Sequence, residues 1–202
     1  SYFLPLTKIV NSTRVRKGLE RLNAPGPFTT IYPGVDLDTF KPTVQKAGKP
    51  RVICYGSTQL WKGFDDALKA IELAREEVDI EFIVYGPRRP LKSGDYTFVE
   101  RPTDSELVDL YSSSHILLNT SWAESFPTTV QEAMACGTTA VAVSVGTEDL
   151  LKDGENAMLV PQHDPESASK ALVKLFEDPD LRERLRQGAL RTISAFGWER
   201  VV

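Results

Sequence analysis

"HILLNTSWAESFPTTVQEAMACGTTAVAV", residues 115–143, holds the reading on which the fold turns. Two apolar, β-rich runs, 115–120 and 139–143, bracket a stretch with helical punctuation. Pro127 fits the first helical turn, where a missing N–H costs nothing, and Gly137 fits the position just past the end, so a helix is expected over 127–136. Strand, helix and strand in this order make a βαβ unit, which requires a parallel pair. On the helix, rotation of about 100° per residue carries 124, 128 and 132 along one line, while Val130, Ala133, Met134 and Gly137 form the opposite, core-facing stripe. Helical side chains lean toward the N-terminus, so Glu132 is expected to reach back toward Glu124. Both carboxylates then overlook a helix start whose unpaired N–H groups and partial positive charge suit a phosphate.

The same alternation runs outward. Strand candidates open at 51 ("RVICYG"), 80 ("IEFIVYG"), 96 ("YTFVE") and 157 ("AMLV"), mostly as continuous apolar runs of the kind buried on both faces. Helices are expected over 64–76, 103–113, 147–152, 165–177 and 179–195. Thr103 followed by Glu106 is a capping pattern, and Asp178-Pro179 separates the last two helices. The fold class is therefore α/β, a Rossmann-like parallel sheet with helices on both faces. The first forty residues differ. They give a short strand and a helix, a break at "APGP", another strand, and the turn-rich "YPGVDLDTFKP", where Gly34 is read as supplying an unusual backbone angle. "TVQKAGKP", 43–50, reads as a linker. The expected organisation is 1–47 as an N-terminal segment and connector, 48–196 as the main domain, and 197–202 as the start of a helix cut short, in an excised piece of a longer protein.

Size and charge narrow the function. A chain of 202 residues can bury a substantial core, and 24 basic against 28 acidic residues, net −4, argue against a nucleic-acid binder that neutralises many phosphates. The two cysteines, Cys54 and Cys136, sit in apolar contexts and read as buried free thiols, which fits a reducing, cytoplasmic setting. No apolar run approaches the roughly twenty residues that span a bilayer. His115 and His163 are isolated from other ligand types, so no metal is expected.

Ligands of an open parallel sheet collect at the carboxyl ends of its strands. After the strand at 51 comes "GSTQLWKG": Gly56 permits close backbone approach, Ser57 and Thr58 offer hydroxyls, and Lys62 stands before a helix, either solvated or reaching a diphosphate. Neither a Walker loop nor a dinucleotide fingerprint occurs. Arg88 and Arg89 read as surface charges. Glu124 and Glu132, taken singly, read as a loop carboxylate and an exposed helix residue. With a polyol ligand, a carboxylate accepts two hydrogen bonds from neighbouring hydroxyls, so one could grip a ribose and the other a sugar.

Together, "ESFPTTVQEAMACGTTAVAV", "YPGVDLDTFKP", "GSTQLWKGFDDAL" and "VGTEDLLKDGENAMLVPQHDPESASKAL" resemble the C-terminal, donor-binding domain of family 4 (group 1) retaining glycosyltransferases of GT-B fold, the first matching their E-x7-E signature. The resemblance implies that Glu124 contacts the donor sugar and Glu132 the ribose hydroxyls. It places backbone groups of Phe126, Pro127 and Thr128 near the sugar, those of Thr129 and Val130 near the phosphates, and Lys62 on the diphosphate. The base would lie around Gly86 and Arg101. It further implies a hexosyl donor as substrate, no metal or other cofactor, and an acceptor glycan, lipid or small molecule held by a separate N-terminal domain, without which transfer is not expected. The longer protein would be cytoplasmic or peripheral to a membrane. Where the family carries an arginine after the loop glycine, this chain has Ser57, which leaves open a catalytically silent nucleotide-binding or assembly module. A glycosidase using both carboxylates on one bond fits worse, because the signature spreads them along a helix terminus.

Overall fold

The computed structural model describes residues 2–201. Six strands form one sheet: β3 (Arg51–Tyr55), β4 (Glu81–Gly86), β5 (Thr97–Glu100), β6 (Ile116–Asn119), β7 (Thr139–Val143) and β8 (Ala157–Val160). Every pairing in it is parallel, in the order β5-β4-β3-β6-β7-β8. The chain starts in the middle, builds to one edge, returns, and builds to the other. The strand direction of growth therefore reverses between β3 and β6, and the loops leaving these two strands diverge around a crevice.

The continuous apolar runs follow from burial on two sides. Within β3, Val52 and Cys54 face one layer and Ile53 the other. The first layer contains α2 (Phe64–Ala74) and α5 (Pro165–Glu177), which bring Phe64, Leu68, Ile71, Leu172 and Leu175 against Phe82, Ile116 and Val141. The second contains α3 (Asp104–Ser113) and α4 (Thr128–Ala135), with Val108, Tyr111, Val130 and Met134 against Ile83, Leu117 and Ala140. α6 (Pro179–Ile193) spans both, Leu181 and Leu185 in the first and Ala189 and Ile193 in the second. Cys54 and Cys136 are free and buried, each thiol pushed up to about 12 by burial.

Local chemistry sets the helix ends. Thr103 Oγ1 accepts from the Glu106 N–H at 3.3 Å while the Glu106 carboxylate accepts from the Thr103 N–H at 2.8 Å, the expected capping box. Pro127 stands one position earlier than the sequence suggests, as the N-cap of α4, with its carbonyl accepting from Val130 and Gln131. At the other end Gly137 has φ +74°, and the Thr138 and Gly137 N–H groups bond Ala133 O and Met134 O, a Schellman closure. The expected helix at 147–152 is absent, and turns replace it. Gly146 enters with φ +81°, and Asn156 takes the Lys152 N–H at 2.8 Å, a donor that a continuing helix would use.

Residues 8–30 form a separate small unit: β1 (Lys8–Val10) paired parallel to β2 (Phe28–Thr30), crossed by α1 (Thr13–Arg21), with Val10, Leu19 and Ala24 as its core. The connector after it crosses to the far end of the chain, where Val35 N–H bonds Phe196 O and Trp198 N–H bonds Val35 O, at the start of α7 (Trp198–Val201). Gly34 is needed here for space rather than for an unusual angle. A Cβ on it would sit 2.7 Å from the Trp198 ring, and its φ is not in the left-handed region. Among the described residues no helix is long and apolar enough to cross a membrane.

Candidate functional site

The crevice between β3 and β6 is built by three close backbone approaches that only glycine permits. A Cβ on Gly86 would lie 2.3 Å from the Gly56 carbonyl oxygen, so the loops after β4 and β3 leave the sheet in contact. Ser57 Oγ accepts from the Gln59 N–H at 3.1 Å and starts a single 3-10 turn, Leu60–Lys62, ended by Gly63 at φ +65°. A Cβ on Gly63 would lie 2.0 Å from Thr120 O, and one on Gly146 2.2 Å from Glu124 O. Hydrogen bonds then lock the two loops together. Thr120 Oγ1 donates to Gly63 O at 2.7 Å, Trp122 N to Trp61 O at 2.7 Å, and Trp122 Nε1 to Asp66 at 2.7 Å.

This clamp brings Lys62 and Glu124 together across 62 positions of sequence: Lys62 Nζ donates to Glu124 Oε1 at 2.8 Å, with side chains 24% and 11% exposed. The pair fills the crevice, leaving about 20 Å³ bordered by Tyr55, Asn119, Thr120, Ser121 and Thr129. Of the first four amides of α4, those of Thr128, Val130 and Gln131 bond carbonyls of Phe126 and Pro127, which leaves that of Thr129, a residue that also borders this crevice. On its other side Glu124 borders an open groove of about 560 Å³ with Arg14, Val15, Trp61, Ala123 and Ser125. Phe126 is buried against Tyr32 and Phe196, and Thr128 is exposed.

The other candidate residues lie around this centre. Glu132 does not border the Lys62–Glu124 crevice, and its Oε2 accepts instead from Tyr111 Oη at 3.1 Å. Burial raises its carboxyl to about 7, against a lowering by that hydrogen bond, with Asp104 pushing the same way as burial. Ser57 and Thr58 border a neighbouring cavity of about 180 Å³ that also includes Phe64, Pro90 and Trp122. Gly86 and Arg101 meet each other, since Arg101 N donates to Gly86 O at 2.9 Å and Arg101 Nε to Pro87 O at 3.2 Å. Arg89 lies over the Tyr96 and Phe98 rings, and Arg88 is exposed.

Neither histidine stands in the crevice. His115 Nδ1 accepts from the Arg51 N–H at 3.2 Å, and burial lowers its pKa to about 4, while His163 packs on Trp122 with ring centroids 4.4 Å apart. Among the described residues no group of three His, Cys, Asp or Glu could hold a metal ion. Sequence reasoning missed Gly63 and Gly146. The local hint was slight: Gly63 directly follows Lys62, and Gly146 lies in the loop just after the strand at 139–143.

An opposed cation and carboxylate between the first and fourth strands of a doubly wound sheet, beside a helix start, form an arrangement that can hold a negatively charged, hydroxylated ligand. Comparison with known proteins gives a family and a fold. Residues 49–178 match the family model described as glycosyl transferases group 1. A D-inositol 3-phosphate glycosyltransferase of Xylanimonas cellulosilytica is 33% identical over 198 residues, 84% of this chain and 48% of the relative. The chain spans about half the length of the curated relatives it matches. Among solved structures, sucrose-phosphate synthase from Thermosynechococcus elongatus superposes with a TM-score of 0.85 at 25% identity, over 96% of this chain and 55% of that one. Anabaena HepE, solved in complex with UDP-glucose, gives 0.79 at 20% identity, over 94% and 59%, a likeness of fold.

Proposed function

Because the chain belongs to the group 1 glycosyltransferases, we propose that it is the donor-binding half of a GT-B enzyme that moves a hexosyl group from a nucleoside diphosphate sugar to an acceptor with retention. The observation that carries this reading is the Lys62–Glu124 pair at the β3/β6 crevice. Lys62 would pass from the carboxylate to the diphosphate, as a point charge on the leaving group. Thr129 would add its amide to the same anion at the α4 start. Glu124, released, would accept from hydroxyls of the transferred sugar. The groove on its far side, bordered by Arg14 and Trp61, would give an acceptor its path to the sugar.

In this reading the bond from the anomeric carbon to the phosphate oxygen breaks as the acceptor oxygen bonds the same face. The acceptor proton passes to the departing phosphate, so no protein nucleophile is needed. Lys62 and the helix start supply the charge stabilisation, and no metal enters the scheme. The acceptor, whether glycan, lipid or small molecule, would be held by a further N-terminal domain, and the whole protein would act in the cytoplasm or at a membrane surface.

Calorimetric titration with UDP, GDP and ADP, their sugars and the parent nucleosides tests the assignment. Lys62→Ala is expected to weaken a diphosphate at least about tenfold, the scale of a hydrogen bond to a charged group, and to leave the nucleoside unchanged. Equal losses for both would remove Lys62 from the phosphate site. A second reading, a silent nucleotide-binding or assembly module, is favoured by Ser57, whose hydroxyl is turned onto its own loop where the family has a guanidinium. That reading predicts nucleotide binding without discrimination between a diphosphate and its sugar.

A further inference from the structure

Behind the crevice stands a row of aromatic rings that the reading above does not use. Tyr55 at the end of β3, Tyr85 on β4 and Tyr111 on α3 meet edge to face, with centroids 5.5 Å and 5.7 Å apart. Tyr111 is fully buried and Tyr85 only 4% exposed, yet each carries a hydroxyl that burial obliges to find a partner. Their oxygens lie 2.5 Å apart, and Tyr111 Oη lies 3.1 Å from Glu132 Oε2. An ionised carboxylate only accepts, so Tyr111 donates to Glu132 and Tyr85 donates to Tyr111. The chain of donors has one direction and ends on one carboxylate oxygen.

We propose that Tyr111, backed by Tyr85, is the positioning residue for Glu132, holding Oε2 so that Oε1 is presented, ionised, to the ribose hydroxyls of the donor. This rests on the assignment of Glu132 to the ribose. Three elements bring titratable groups to Glu132: α3 contributes Tyr111 and Asp104, β4 contributes Tyr85, and the end of α4 contributes Cys136. Burial holds both phenols and the thiol in their neutral forms, and Asp104 repels the carboxylate. The Tyr111 hydrogen bond favours the charged form of Glu132 against its burial. Donor affinity is therefore expected to fall as pH drops through about 7, and removing the Tyr111 hydroxyl to move that fall to higher pH.

The test measures affinity from pH 6 to 9 for whichever of UDP, GDP and ADP binds tightest, and for its 2′,3′-dideoxy analogue. Tyr111→Phe is expected to weaken the ribonucleotide about tenfold at pH 7, with the gap narrowing toward pH 9, and to leave the dideoxy analogue unchanged. Tyr85→Phe, which keeps the direct donor, should give a smaller shift in the same direction, and it carries the test if Tyr111→Phe does not fold. Ribonucleotide profiles superposing on wild type in both variants, with Glu132→Gln still lowering affinity, would overturn the positioning role alone. If Glu132→Gln also bound both ligands like wild type, the ribose assignment would fall and the proposal with it.

Discussion

Burial raises the Glu132 carboxyl from 4.5 to about 7, and that has a consequence for the fold as well as for binding. A carboxyl whose folded pKa lies above its unfolded value favours the folded state while protonated. That contribution is complete below the unfolded pKa and is lost as pH rises through the folded one. Glu132→Gln keeps the shape and removes the titration, so the variant is expected to unfold at a higher midpoint than wild type at pH 8 and at nearly the same midpoint near pH 4. Thermal unfolding at the two pH values checks this, and a gap independent of pH would contradict the burial argument. A group that weakens the fold at working pH is retained where a ligand needs it. The helix line through 124, 128 and 132 pointed at this residue, yet the line alone suggested that both glutamates share one space. Tyr111, 21 positions upstream, takes Glu132, and Lys62 takes Glu124. Such partners come from other elements and have no trace in local periodicity.

Short loops do at the scale of elements what charges do at the scale of residues. Gly63 ends the 3-10 turn at φ +65° with the Thr120 carbonyl where a Cβ would stand. Gly63→Ala combines a left-handed backbone with a contact that only backbone movement relieves, and it should cost about 2 kcal/mol or more. The variant is expected to lose diphosphate binding as well, since the same turn aims Lys62. Chemical denaturation and titration together check this, and wild-type stability in Gly63→Ala would refute the clamp. Helices bounded by sequence punctuation were legible: the Thr103 box, Pro165 and Pro179 after their Asp caps, and Gly137 after α4. The segment 147–152 was not. "TEDLLK" has helical spacing, but Gly146 entering at positive φ and the Asn156 side chain capturing Lys152 are tertiary choices that override it.

At the scale of the molecule, the sheet was legible because burial on two faces writes itself as unbroken apolar runs in most strands, and the edge strand β5, TFVE and only partly buried, was still found by its β-rich run. Strand order was not, because pairing across the reversal between β3 and β6 depends on contacts far apart in sequence. The two parts of the structure also differ in what holds them. Residues 8–30 enclose three buried apolar side chains, whereas the six-stranded sheet has a full layer on each face. Local opening follows apolar burial, so amides of β1 and β2 are expected to exchange hydrogen much faster than those of β3, β6 and β7. Uniform protection across both would contradict a separate small unit. Where this unit meets the domain its contacts are polar: Thr13 N on Asp149 at 2.7 Å, Asn11 on Ser125 at 3.2 Å, and Arg14 near Glu148 at 3.8 Å. The connector that leaves it passes Val35, which lies parallel to Gly197 and is bonded to its neighbours Phe196 and Trp198. The connector leaving the small unit is thus anchored to the domain at Val35 by two backbone bonds and a buried side chain, and it is at this residue that the two parts are tied.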